Sequence, residues 1–140
     1  MLEVLLCMMM GKTVAIADTV DVSDRLEFSL AQPISAISGS ANLQLDVSHR
    51  VNVDQSPEKV FAQVAEAFPA GSVIGQLSDA VGRHSVALKY LGGATLDRRN
   101  VRLILQAEEP INLEWRFSVV RLEVSRPIGQ TTIYWQNCKL

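Results

Sequence analysis

Two cysteines in 140 residues, Cys7 and Cys138, stand at opposite ends of the chain and exclude a disulfide scaffold. With only His49 and His84 to join them, a structural zinc site of four protein ligands is close to excluded as well. Apolar runs are short. The longest, residues 4–10, falls far below the ~18 or more consecutive apolar residues that a membrane-spanning helix needs. Aromatics make up only 6% of the chain, and none alternates with basic residues, so the stacking platform of a single-strand nucleic-acid binder is missing. Neither sign of charge dominates, since 13 Lys+Arg oppose 15 Asp+Glu, which leaves no global field to collect nucleic acid or an anionic membrane. The phosphate-cradling, dinucleotide, nucleophile-elbow and zincin motifs do not occur, so the commonest nucleotide and hydrolase chemistries lack their residues.

Hydrophobic residues, by contrast, are plentiful at 48%, enough to fill the core of one ordinary domain. Their spacing is mostly of period two. Leu26, Phe28 and Leu30 alternate with Arg25, Glu27 and Ser29. Residues 41–53 then alternate without interruption, with Ala41, Leu43, Leu45, Val47, His49, Val51 and Val53 on one face. The period turns helical at Ser56, an N-cap residue followed by Pro57 at the first helical position and Glu58 in the first turn. Val60, Phe61, Val64 and Phe68 fall on one stripe, and Pro69 with Gly71 ends the helix. Val73, Ile74, Leu77, Ala80 and Val81 suggest a second short helix, which makes residues 56–82 a helical insert between strands.

After Gly82 the pattern returns to strands: residues 84–90, a turn at Gly92-Gly93, residues 101–107, a long strand over 111–124, and a last one over 131–139. In the long strand the apolar set moves from odd to even positions, which predicts a β-bulge near Val119-Val120. The expectation is an α+β fold, a mostly antiparallel sheet of about six strands with the helical insert packed on one face. A β-sandwich is the alternative.

The N-terminus raises a question of compartment. The apolar residues 4–10, followed by Ala15-x-Ala17, read as a signal peptide over residues 1–17 with a small-residue cleavage site, leaving a single domain over 18–140. Glu3 stands where a positive charge belongs, and Lys12 interrupts the approach to the cut. The chain is therefore expected in the periplasm or outside the cell, and in the cytoplasm if residues 1–17 are retained.

Candidate functional residues are few. His49 shares an apolar strand face and, with Tyr90 and Trp135, could line a small-ligand site, because rings with a polar edge suit such margins. Residues 83–140 carry nine basic and five acidic side chains, and Arg98, Arg99 and Arg102 cluster around a turn as an anion or partner patch. No catalytic constellation, metal site or cofactor motif emerges.

Residues 51–65, VNVDQSPEKVFAQVA, resemble the first strand and helix of the START-like, helix-grip family of ligand-binding proteins. The resemblance implies strands wrapped around a cavity and a long C-terminal helix. Here residues 130–140 read as strand and two further segments precede the match, so no function is carried over. Two expectations remain. One is a non-enzymatic bacterial envelope or secreted domain that works by contact with a protein partner through exposed strand edges. The other is a small apolar ligand held between sheet and helices. No nucleic-acid partner and no transmembrane segment are expected.

Overall fold

The computed structural model describes residues 12–36 and 41–137. In chain order these form β1 (Lys12–Val22), β2 (Arg25–Ile34), β3 (Ala41–Ser48), α1 (Pro57–Ala67), β4 (Val73–Ser78), β5 (Ser85–Thr95), β6 (Asn100–Ala107), β7 (Phe117–Val124) and β8 (Gly129–Asn137). All eight strands belong to one antiparallel sheet in the order β1-β8-β3-β6-β5-β4-β7-β2, so the class is as expected but the strand number is eight rather than six, and a two-sheet sandwich is not what forms.

The topology forces the sheet to roll. Strands β1 and β2 lie at opposite ends of the order, yet only Ser23 and Asp24 separate them in the chain. A flat eight-stranded sheet would hold its edge strands some 30 Å apart at ~4.8 Å per strand, far beyond the reach of two residues. The sheet therefore curls until its edges meet at the turn, giving a nearly closed barrel. Its inside is apolar: Leu43, Leu45, Leu103, Leu105, Leu77 and Ile133 are fully buried, each contributing roughly 1.5–3 kcal/mol by leaving water. The outside carries Asp46, Lys89, Arg102, Arg121 and Glu123.

Helix α1 closes one end. The Ser56 hydroxyl accepts from the Lys59 amide, Pro57 opens the helix, and Pro69 stops it by disfavouring a helical Phe68. Val64 and Phe68 face the core, whereas Phe61, expected on the same stripe, is 65% exposed. The helix can approach the barrel only because β5 has a glycine beneath it: a Cβ on Gly93 would stand 3.0 Å from Val64 Cγ1 and 2.9 Å from Leu103 Cδ2. Segment 108–116 runs between β6 and β7 at the opposite end, where Ile111 is buried and Trp115 stacks on His84 with ring centroids 4.4 Å apart.

Several expectations change in detail. Residues 73–78 form strand β4, not a second helix, so the helical insert shrinks from 56–82 to α1 alone. Its inward positions are Val73, Gly75 and Leu77, and the missing side chain of Gly75, which leaves room for Leu88 and Leu105, hid the alternation. Gly92-Gly93 is not a turn but lies inside β5 just after a register shift between Tyr90 and Gly92, where Gly92 takes a φ of +135°. Strand β3 ends at Ser48. Residues 49–51 instead follow the β5–β6 turn, with the His49 and Val51 amides donating to the carbonyls of Arg99 and Arg98.

The long late strand starts at Phe117, because Asn112 folds the chain back by accepting from the Glu114 and Trp115 amides through its side chain and carbonyl. The parity switch is present, with Phe117 and Val120 both buried, but the irregularity sits in β2. Ser29 and Ile34 pair with Val119 and Phe117, while β7 runs in unbroken register along β4. Residues 51–56 are turn rather than strand, and the C-terminal described element is β8, so the helix-grip arrangement is not reproduced here. Cys7, Cys138 and the signal-peptide run before Lys12 lie outside the described residues.

Candidate functional site

Two of the three residues expected at a ligand site each contact Phe68. Tyr90, on β5, is 9% exposed and its hydroxyl donates to the Phe68 carbonyl at 2.8 Å, while the His49 ring packs edge-on against the Phe68 ring with centroids 5.1 Å apart. Burial pushes the Tyr90 hydroxyl pKa up to about 12, so this group is a fixed donor to the helix end rather than a base. Phe68 is the residue that sequence reasoning assigned to the core alone, and a bond to its backbone carbonyl left no signal in the side-chain pattern. Beside it lies a groove of about 590 Å³ between the end of α1, the segment after β3 and the β7–β8 turn, lined by His49, Glu66, Phe68, Arg126 and Ile128 among others. Tyr90 is behind this groove, anchoring its wall.

Trp135 sits elsewhere. It is 1% exposed on β8, between Val14 of β1 and Leu43 of β3, and its indole N–H donates to the Ser35 carbonyl at 3.1 Å. That bond ties β8 to the chain just after β2, across the seam where the two edge strands face each other. The seam is a wedge. Strands β1 and β2 are held together at the Ser23-Asp24 turn, and at their far ends a groove of about 400 Å³ separates them, lined by Val14, Ile16, Leu30, Ile34 and Trp135. Among the described residues each strand is hydrogen-bonded along one side only, β1 to β8 and β2 to β7. Both are irregular: β1 shifts register between Ala15 and Ala17 and again before Val20, with Thr19 at a φ of +51°, and β2 shifts between Ser29 and Ile34. Breaks of this kind are how natural edges limit open-ended pairing. Closure of a rolled sheet is a non-local event, so no local pattern announced the seam.

The expected cationic patch is largely engaged. Arg102 lies directly opposite Asp46 in the β3–β6 ladder and grips it through Nε at 2.7 Å and Nη2 at 2.9 Å, and its guanidinium also lies 5.9 Å from the centre of the Tyr134 ring. The Asp46 carboxylate holds the Arg102 pKa above its ordinary value, in spite of partial burial. Arg98 reaches Asp54 at 2.9 Å. Arg99 is exposed at the turn, where its amide donates to Asp97 Oδ1; that amide and the Asn100 side chain hold the Asp97 carboxyl below the usual range. Cross-strand pairs Arg121–Glu27 and Arg25–Glu123 continue the same pattern on the far side of the sheet.

Among the described residues no group of three His, Cys, Asp or Glu side chains could hold a metal ion, and no helix is long and apolar enough to cross a membrane. No family model matches the chain, and no curated protein matches it in sequence. The chain is similar to a solved structure, the infectious bursal disease virus VP2 subviral particle, at 14% identity and a TM-score of 0.35 over 91% of this chain. It spans 33% of that protein's length, and a likeness at this level bears no functional conclusion.

Proposed function

We propose that this protein is a non-enzymatic domain of the bacterial envelope or of the secreted fraction, working by protein contact, and that its seam accepts an extended segment of a partner. The supporting observation is the wedge between β1 and β2: two edges, each bonded along one side among the described residues, flank an apolar groove. An added strand would find free backbone groups on the β1 edge and a place for alternate apolar side chains over Val14, Leu30 and Trp135. The register breaks confine such pairing to the regular stretch at the start of β1, favouring one short partner segment over indefinite sheet growth. Val14, 46% exposed, is the residue a partner would cover first.

The test is site-specific photo-crosslinking in cells, with the probe at position 14 and a control at Ile74, which is 59% exposed on the outer face of β4. A discrete adduct at 14, absent at 74 and mapping to an extended partner segment, is the expected result. Equal labelling at both positions would overturn the reading. Compartment is tested separately by the intact mass of the protein from fractionated cells. Cleavage after Ala17 would remove five of the eight β1–β8 residue pairs, and Val14 with them, so an acceptor at the start of β1 requires a chain that keeps residues 12–17.

A second reading, a small ligand held between sheet and helix, draws support from the convergence of His49 and Tyr90 on Phe68 at the helix-end groove.

A further inference from the structure

The helix-end groove has a distinctive distribution of charge. Its α1 wall ends in Glu66 and in helix carbonyls that no basic residue of the last turn offsets, so that wall is negative and favours a cation. The opposite wall, the β7–β8 turn, presents Arg126. Neither Glu66 nor Arg126 makes an ion pair or side-chain hydrogen bond among the described residues, so both charges are available to a ligand. Phe68 and Ile128 line the same groove, with the half-buried His49 imidazole packed on the Phe68 ring. The groove, at about 590 Å³, has room for a small amphiphile.

We infer that this groove binds a small dipolar molecule of the α-amino acid or short-peptide class, its ammonium group toward Glu66 and the end of α1, its carboxylate toward Arg126, and its apolar part over Phe68. The inference rests on the second reading above and adds the chemistry of the ligand to it. Unpaired charges of opposite sign that line one groove beside an apolar ring select a molecule that carries both charges on one frame. A purely apolar ligand would leave both charged walls unanswered, and a simple anion would meet the Glu66 carboxylate.

The experiment is an amide-shift NMR titration of the full chain with four probes: phenylalanine, N-acetylphenylalanine, phenylalaninamide and benzyl alcohol. Phenylalanine is expected to shift the amides of residues 66–68 and 126–128, with each blocked derivative weaker by about fivefold, as befits one exposed charge contact. Glu66→Gln should weaken phenylalanine and leave the N-acetyl form unchanged, and Arg126→Gln should do the same with the amide form. Both side chains are exposed, so the variants keep the fold. No shift with any probe would overturn the small-ligand reading and this inference together. Equal binding of benzyl alcohol and phenylalanine would overturn the inference alone.

Discussion

Tyr90 should make this protein lose stability in alkali in a way that one substitution removes. Its hydroxyl is buried and donates to the Phe68 carbonyl, and burial raises its pKa to about 12 from an ordinary value near 10. A raised pKa means that the folded state favours the neutral phenol. Its contribution is therefore complete below pH ~10 and fades as pH rises toward ~12, a change of about 2–3 kcal/mol at 1.36 kcal/mol per pH unit. Tyr90→Phe keeps the ring and loses the hydrogen bond, which costs about 0.5–1.5 kcal/mol at neutral pH. The variant has no phenol to ionise at this position, while Tyr134 contributes equally to both proteins. Urea denaturation at a series of pH values should find the native chain the more stable at neutrality and the less stable near pH ~12, with the two curves crossing between. Parallel curves across that range, or tyrosinate absorbance titrating at the ordinary position for both tyrosines, would refute the reasoning.

Gly93→Ala places a methyl group 2.9 Å from Leu103 and 3.0 Å from Val64, and should destabilise by about 1–2 kcal/mol net of the entropy that alanine saves in the unfolded chain; a more stable variant would contradict the packing of α1 on β5. Asp46→Asn and Arg102→Gln in a double-mutant cycle should return a coupling of about 1 kcal/mol that falls in high salt, and a coupling near zero would mean that Arg102 is available as an anion site after all. Trp135→Phe removes the indole bond to Ser35, and about 1–3 kcal/mol of lost stability should come with faster amide exchange at residues 34–36.

Legibility in the sequence followed locality. The alternations in β2, β3 and β5 and the Ser56-Pro57 helix start were plain because each rests on neighbouring residues. Residues 12–17 of β1 also fit the end of the expected signal peptide over 1–17, since small and apolar residues such as Ala15, Ile16 and Ala17 serve an edge strand and a cleavage region equally well. Strand β4 was hidden by Gly75, whose absent side chain both breaks the alternation and makes the core fit. Of the candidate residues, His49 and Tyr90 both contact Phe68, Tyr90 through a backbone carbonyl that leaves no trace in the sequence. Trp135 was separated from them because strand order, which puts β8 beside β1, is set by long-range pairing. Glu66 and Arg126 were not singled out at all. Their significance comes from lining one groove although 59 residues of chain separate them.

The seam carries the central claim, and amide hydrogen exchange on the complex with the partner captured at position 14 tests it most directly. Strand addition predicts slowed exchange along residues 12–16, with the central strand residues 100–107 unchanged. Protection confined to another face of the barrel, or none at residues 12–16, would contradict the account.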